Sequence, residues 1–351
     1  MFAITSSEAL NLLQGIFRFP LRLPRRKSRW RGWEPGQQSI KTTGVIRQKT
    51  LKAEIGCTGV ALHSGRTTAL TLKPAEENTG IRICRTDLVN GARDITVNWR
   101  NVVDTRLATT VGNDHGTTVS TIEHLLAALS GCEIDNVLIE VDGSEIPIMD
   151  GSAAPFVFLI ECAGQIEQNA PRTAIKILKS LRVGDETRSL SIVPSDEFSL
   201  DFEIDFDSSA IDRQALAFGP TDSNFKSDIA RARTFGFEQE VDALRNAGLA
   251  LGGSLDNAVV VSGDRVLNKG GLRYSDEFVR HKILDCIGDL YLAGGPVIGE
   301  VVGCRSGHEL NNQLLRAVFA DDDAWTRIEA PPTGSLRSTS KTADKVVSAI
   351  A

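Results

Sequence analysis

From Val45 onward the chain alternates short apolar or period-two runs with a few strongly amphipathic segments. Alternation at a period of two is typical of half-buried strands, whereas apolar residues three and four positions apart are typical of helices. The two patterns do not follow each other in the regular order of a βαβ protein, so the sequence predicts an α+β fold. The predicted strands are Leu51 to Ala53, Thr68 to Leu72, Ile81 to Cys84, Asn136 to Val141, Ile175 to Leu178, Leu190 to Val193 and Ser199 to Asp205. The predicted helices are Thr121 to Leu129, Ala154 to Ala163, Ser227 to Arg233, Val241 to Ala247, Phe278 to Leu292 and Glu309 to Phe319.

Length and charge exclude several classes of protein. The chain has 351 residues, which at about 150 residues per domain suggests two domains. No segment approaches the roughly 18 uninterrupted apolar residues of a membrane span. The net charge is −6, and the first 50 residues hold ten basic against two acidic residues, so the rest of the chain carries −14. An acidic body argues against nucleic-acid binding, which depends on clustered Lys and Arg, and we predict no nucleic-acid partner.

A polar stretch from Glu167 to Arg172 follows one predicted helix and precedes a new run of strands, which favours a domain boundary there. The first residues combine an apolar patch with a later basic run, the reverse of the order in a secretory signal. We interpret them as a basic extension outside the fold, and the Ser-, Thr- and Lys-rich end as a loose tail. The predicted segments are the extension 1–45, the N-terminal α+β domain 46–168, the C-terminal α+β domain 172–325 and the tail 330–351.

The cysteines are scattered and contain no C-x-x-C pair. This spacing argues against a thiolate zinc cluster and predicts reduced thiols, as expected in the cytoplasm. The six residues are Cys57, Cys84, Cys132, Cys162, Cys286 and Cys304.

The first helix of interest bears a Glu-His pair, Glu123 and His124, beside its apolar stripe. One interpretation is structural, because Ser120 and Glu123 match the S-x-x-E capping box that satisfies free amides at a helix start. The other is functional. The positive end of a helix favours neutral imidazole in the first turn, and neutral imidazole is the form that binds a metal.

The second helix carries His281, Asp285 and Asp289 at intervals of four residues, away from its apolar face. Residues at i and i+4 lie one turn apart, so an imidazole and a carboxylate can reach one cation. The alternative is a solvated stripe with an ordinary His-Asp pair.

The two helices together supply the parts of a catalytic metal site, although the chain lacks the H-E-x-x-H motif. Two histidines and one aspartate would leave a coordination position for water, and a neighbouring glutamate would act as the base. His308, before the last long helix, fits a general acid held charged by Asp289, or alternatively a surface turn before another S-x-x-E cap. His63 is a weaker candidate, and His115 fits a turn.

Six strings then carry a resemblance: STIEHLLAALSG, EIPIMDGSAAPFV, RARTFGF, LGGSLDNAVVV, DEFVRHKILDCIGDL and SGHELNNQLL. In this order they resemble the UDP-3-O-acyl-N-acetylglucosamine deacetylase family of lipid A biosynthesis, from about Gln48 to about Phe319. The resemblance implies two similar domains, each a layered sandwich of sheet and helix, with the active site between them. It also implies a Zn²⁺-dependent amidase that releases acetate and UDP-3-O-acyl-glucosamine.

The resemblance assigns roles position by position. His124, His281 and Asp285 match the zinc ligands. Glu123 matches the general base, His308 the general acid, Asp289 the carboxylate that orients His308, and Thr234 a hydroxyl that holds the oxyanion. The substrate-binding candidates are Lys282, His63, Phe235 and Phe237. Lys282 matches a cation near the substrate. Phe235 and Phe237, together with the segment Leu249 to Val261, match residues that line a passage for the acyl chain.

The implied substrate, a UDP-linked acylated amino sugar, sets the expected partners. Its diphosphate requires cations, for which Arg231, Arg233 and Arg280 are candidates beside Lys282, although solvated helix charge would look the same. Its acyl chain predicts transient contact with the inner-membrane surface, and we predict no obligate protein partner. The rivals are a binding protein without turnover, disfavoured by the intact Glu123 and His308, and a peptidase-like zinc hydrolase, disfavoured by the missing H-E-x-x-H.

Overall fold

The computed structural model describes residues 45–89, 91–219 and 223–331. The predicted basic extension, apart from residue 45, and the tail beyond residue 331 lie outside the described residues. Strands in several sheets and a few helices confirm the predicted α+β class. The α-helices are α1 (Glu123–Gly131), α2 (Ala154–Ala163), α3 (Glu238–Asn246), α4 (Glu277–Leu290) and α5 (His308–Ala320).

The N-terminal half is built on a five-stranded sheet. In its strand Thr67–Pro74 the residues alternate with a period of two. Thr68, Leu70 and Leu72 are buried, and the residues between them are more exposed. The apolar members join the core that also contains the leucines of α1. In spatial order the strands are β2 (Ile55–Val60), β3 (Thr67–Pro74), β9 (Val137–Val141), β4 (Ile81–Arg85) and β5 (Asp94–Thr96).

Two smaller sheets complete this half. The predicted strand at Leu51 to Ala53 is misplaced, because the strand ends at Leu51 and the next residues bend. The polar stretch predicted as a domain boundary forms, as far as Pro171, part of a strand that pairs with the first strand among the described residues. The division into domains 46–168 and 172–325 stays a prediction. The strands are the pair β1 (Arg47–Leu51) and β10 (Gln165–Pro171), and the sheet of β6 (Val102–Asp104), β7 (Thr110–Gly112) and β8 (Thr118–Val119).

The C-terminal half contains a seven-stranded mixed sheet. Its long strand β19 (Val297–Cys304) is parallel to two neighbours and antiparallel to a third. Alternate residues of this strand, such as Val297 and Val301, are buried. The other strands are β11 (Thr173–Ile177), β12 (Leu181–Gly184), β13 (Ser189–Val193), β14 (Phe198–Asp205), β15 (Arg213–Phe218) and β20 (Trp325–Glu329).

An insert with its own small sheet follows β15 in the chain. A three-stranded sheet consists of β16 (Phe235–Phe237), β17 (Val259–Ser262) and β18 (Arg265–Val266), with α3 between the first two strands. The helix predicted over Ser227 to Arg233 is instead one short turn with π-type hydrogen bonding, Phe225–Ile229. The helix predicted over Ala154 to Ala163 has those bounds, and the other predicted helices are present with starts that differ by one to three residues.

The two histidine-bearing helices pack directly against each other. Gly288 of α4 makes the close approach possible, because a Cβ atom at this position would lie 2.1 Å from the carbonyl oxygen of Glu123. Real Cβ atoms do not approach a backbone oxygen so closely, so a larger residue would push the helices apart. The packing therefore places the start of α1 against the last turn of α4.

Candidate metal centre and active site

The contact between α1 and α4 brings together two imidazoles and one carboxylate. Asp285 Oδ1 lies 3.3 Å from His281 Nε2 and 3.6 Å from His124 Nε2. One ligand atom from each of these residues lies within 4.8 Å of the others. The spacing fits three atoms around one cation, so the structure brings together the three residues that the sequence analysis names, and their role as metal ligands stays a prediction.

All three side chains are buried, with 2 to 3% of each residue exposed. The alternative of a solvated stripe on α4 is therefore wrong. The capping alternative for Glu123 is also wrong, because α1 begins at Glu123 without a side-chain cap and Glu123 itself is buried.

The donor set fits a divalent metal ion. Burial lowers the pKa of His281 to about 3, so its imidazole is neutral. Its Nδ1 lies 3.1 Å from the carbonyl oxygen of Ala232, which leaves Nε2 facing Asp285. Within the described part of the chain, Asp285 Oδ1 is buried without a hydrogen-bond partner. A buried carboxylate oxygen without a partner is costly, and a cation would satisfy it.

Lys282 neutralises the other oxygen of the same carboxylate. Its Nζ donates a hydrogen bond of 2.6 Å to Asp285 Oδ2. Burial disfavours the ammonium form, but the negative charges of Asp285, Asp289 and Glu123 and the hydrogen bond to Asp285 together outweigh burial and raise the pKa of Lys282. The ammonium also lies 6.0 Å from the ring centroid of Phe235. Lys282 therefore brings a fixed positive charge to the edge of the site.

Glu123 lies beside the three candidate ligands. Its Oε2 accepts a 3.0 Å hydrogen bond from the backbone N–H of Thr109, and its Oε1 lies 3.9 Å from His308 Nε2. Burial raises the pKa of this carboxyl group, and the nearby positive charge of His308 partly offsets the effect. A carboxylate held in place with an elevated pKa has the properties of a general base.

His308 is oriented by Asp289. Its Nδ1 lies 2.7 Å from Asp289 Oδ2, which leaves Nε2 pointing toward Glu123. Burial disfavours the charged ring, but the negative charges of Asp289, Glu123 and Asp285 and the hydrogen bond to Asp289 together outweigh burial and raise the pKa of His308 to about 9. The S-x-x-E alternative is wrong, because α5 begins at His308 with Gly307 as its N-cap and no side-chain cap. A protonated imidazole here has the properties of a general acid.

These groups open into one cavity of about 610 Å³. Thr234 lines it, and its backbone is fixed on both sides: its N–H donates to the carbonyl of Gly151 and its carbonyl accepts from the N–H of Val259, both at 2.8 Å. Gly151 has φ of 84°, and a Cβ there would lie 2.1 Å from the carbonyl oxygen of Asn257. The tight turn thus positions the threonine.

The aromatic residues of the insert form part of the cavity wall. Phe235 and Phe237 both line the cavity and both pack against Phe206, with ring centroids 5.5 and 5.9 Å apart. Phe235 also contacts the buried Phe278 of α4 at 4.9 Å. The predicted apolar lining is therefore joined to the helix that carries the candidate ligands.

Other predicted residues lie elsewhere. His63 does not line the cavity, although its neighbour Leu62 does. The arginines expected near a diphosphate are absent from the cavity lining too: Arg233 forms a buried pair with Glu277 at 2.8 Å, and Arg280 pairs with Asp276 at 2.6 Å. Both residues are therefore paired with carboxylates outside the cavity lining, and Arg231 does not line the cavity either, so the diphosphate role of these arginines stays a prediction.

Sequence reasoning missed several residues of the site. Arg106 and Arg188 line the cavity from loops that no motif marks, and Arg106 is paired with Asp104 at 2.7 Å. Thr109 contacts both Glu123 and Asp289, and Asn311 Nδ2 donates to Asp289 Oδ2 at 2.8 Å. Asn311 follows His308 by three residues on the same helix. This spacing alone predicts that the two side chains are neighbours. Thr109 carries no such signal.

A buried cluster of two histidines and one aspartate, next to a glutamate and an opposing histidine, is the arrangement of a metal-dependent hydrolase. A family model described as LpxC, UDP-3-O-acyl N-acetylglycosamine deacetylase, matches residues 48–320. The chain belongs to this family of metalloenzymes, and the recognition from the six strings is confirmed.

Curated relatives agree with the family match. The chain is 52% identical over 283 residues to the UDP-3-O-acyl-N-acetylglucosamine deacetylase of Vibrio parahaemolyticus, which covers 80% of this chain and 92% of that protein. It is 51% identical over 287 residues to the protein of the same name from Acidithiobacillus ferrooxidans, covering 81% and 94%. Among the described residues, no helix is both long and apolar enough to cross a membrane.

Proposed function

We propose that this chain is a Zn²⁺-dependent deacetylase that hydrolyses the N-acetyl group of UDP-3-O-acyl-N-acetylglucosamine. One observation carries the proposal: the unpartnered Asp285 Oδ1 lies between His124 and His281, with Glu123 and His308 beside the trio. Two nitrogen ligands and one oxygen ligand suit zinc and leave a coordination position for water. The family membership and the names of the relatives support the substrate.

The reaction joins water to the acetamide and releases acetate and a free amine. A bound Zn²⁺ would lower the pKa of a water molecule and polarise the amide carbonyl. Glu123 accepts the proton from the attacking water, since its carboxylate is held beside the ligands by the Thr109 amide. The Thr234 hydroxyl donates to the carbonyl oxygen as negative charge develops there.

Departure of the amine requires a second proton. An amine anion is a poor leaving group, so the nitrogen must be protonated as the C–N bond breaks. His308 supplies this proton from Nε2, because Nδ1 is already engaged with Asp289. A pKa of about 9 keeps the ring charged near neutral pH, ready to donate.

The cavity lining contains cationic and aromatic side chains, which suit the two ends of the proposed substrate. The cationic side chains of the lining are Lys282, Arg106 and Arg188, of which Lys282 pairs with Asp285 and Arg106 with Asp104, and a diphosphate would meet this positive charge. Phe235 and Phe237 provide an apolar wall for an acyl chain. The proposed substrate also favours transient contact with the inner-membrane surface. All six cysteines are free thiols, which supports a cytoplasmic location.

The test is acetate release from UDP-3-O-acyl-N-acetylglucosamine by the purified chain. We expect turnover with about one zinc per chain, loss of turnover after chelation and recovery on adding limiting zinc. The substrate that lacks the N-acetyl group is the matched control and should release nothing. Freshly metallated protein that releases no acetate would refute the proposal, and faster cleavage of a peptide would favour the peptidase alternative.

A further inference from the structure

Thr109 lies immediately before β7 and is 1% exposed. All three of its polar groups are engaged within the candidate active site. The backbone N–H donates to Glu123 Oε2 at 3.0 Å, and the side-chain hydroxyl donates to Asp289 Oδ1 at 2.6 Å. The backbone carbonyl accepts a 3.4 Å hydrogen bond from the N–H of Ile122, the N-cap of α1. One residue thus contacts both sides of the proton-transfer machinery.

We propose that Thr109 is a positioning residue that fixes the candidate base and the candidate acid relative to each other. Its backbone holds Glu123, from the N-terminal half of the chain. Its hydroxyl holds Asp289, from the C-terminal half, and Asp289 in turn orients His308. The inference rests on the proposed deacetylase function and adds to it a residue that does not touch the substrate itself.

The direction of the hydroxyl bond follows from chemistry. An ionised carboxylate only accepts hydrogen bonds, so the Thr109 hydroxyl must be the donor to Asp289. Oδ2 of the same carboxylate interacts with His308 Nδ1 at 2.7 Å and Asn311 Nδ2 at 2.8 Å. Thr109 therefore binds Oδ1, the carboxylate oxygen of Asp289 that His308 and Asn311 do not contact. Together the three contacts fix the plane of the carboxylate. Its removal would leave a buried charged oxygen free to rotate.

The alternative is that Thr109 only stabilises the fold. Thr109→Val separates the two roles, because valine has nearly the same shape and keeps the backbone bond to Glu123 while losing the hydroxyl. We expect kcat to fall by about 10- to 100-fold with KM changed by less than about threefold, as for a lost hydrogen bond to a charged group. Thr109→Ser keeps the hydroxyl and should restore kcat to within about threefold of the wild type.

Thr110→Val is the matched control. Thr110 is the next residue of the chain, and its hydroxyl bonds to Ser120 Oγ at 3.0 Å, away from Glu123 and Asp289. This variant makes the same chemical change and should keep the wild-type kcat. Equal losses in the Thr109 and Thr110 variants would indicate a general effect on stability and would overturn the proposal.

A double mutant tests whether Thr109 acts through His308. In a His308→Ala background the oriented acid is gone, so adding Thr109→Val should lower kcat by less than about twofold further. A loss as large as in the wild-type background would overturn the proposal. A crystal structure of Thr109→Val gives a readout that does not depend on turnover: the Asp289 carboxylate should rotate and its contact with His308 Nδ1 should lengthen. An unmoved carboxylate would refute the positioning role even if the proposed function itself failed.

Discussion

His308 Nε2 lies 3.9 Å from Glu123 Oε1, so the two candidate proton-transfer groups face each other beside the three candidate metal ligands. The distance is too long for a hydrogen bond, which leaves both atoms free for a reacting molecule. The two residues begin α1 and α5, which belong to opposite halves of the chain. The relative position of base and acid therefore depends on how the halves pack.

Replacement of Glu123 should separate metal binding from turnover. Glu123→Ala removes the candidate base and leaves the three candidate ligands intact, so we expect kcat to fall by about a hundredfold or more. Zinc content, measured by elemental mass spectrometry, should remain near one per chain. Unchanged turnover would remove Glu123 from the mechanism, and loss of zinc would make it a ligand.

The pH dependence of turnover should report His308. The acid must be protonated, and its pKa is raised to about 9, so kcat should fall as pH rises through this value. Since Asp289 holds this pKa up, Asp289→Asn should shift the basic limb to lower pH. His308→Ala should lower kcat and remove the limb. A limb that is the same in all three proteins would assign the acid elsewhere.

Zinc should stabilise the folded chain through Asp285. A ligand present at a hundred times its Kd adds about 2.7 kcal/mol to the free energy of unfolding, so chelation should lower Tm. Asp285→Asn should lose both bound zinc and this increment. Asp276→Asn is the control. Asp276 is the N-cap residue of α4 and its carboxylate pairs with Arg280 of that helix, so this variant should retain both the bound zinc and the added stability. Equal zinc-dependent stabilisation in the two variants would contradict the assignment of Asp285.

Gly288 should be required for the approach of the two helices. A Cβ atom at this position would meet the Glu123 carbonyl, and overpacking of this kind costs about 1 to 3 kcal/mol. Urea unfolding of Gly288→Ala should show this loss, and the displaced Glu123 should lower kcat as well. Gly270→Ala is the control, because a Cβ atom there would meet nothing within 4 Å. Equal stability of the two variants would contradict the packing argument.

Some features of the site were predictable because they depend on local sequence. The four-residue spacing of His281, Asp285 and Asp289 places them on one helix face whatever the surroundings. The periodicity could not predict what this helix face packs against. A polar stripe looks the same whether it faces water or another polar stripe, and the close contact at Gly288 decides between these cases.

Other features depend on contacts between distant residues. The pairing of Arg233 with Glu277 needs two segments to meet, so its sequence neighbours gave no indication that this cation was already neutralised. Thr109 and Asp289 are 180 residues apart, and a threonine before a short strand has no distinctive pattern. The strand Gln165–Pro171 was missed because its residues are mostly polar and exposed, and its pairing with Arg47–Leu51 decides its structure.

The central claim is that two imidazoles and one carboxylate share a single ion, and diffraction at the zinc absorption edge tests it most directly. Crystals of the zinc-loaded chain should show one strong anomalous peak at about 2.0 to 2.2 Å from His124, His281 and Asp285. A peak bound by other residues, or no peak at this cluster in protein that releases acetate, would contradict the account.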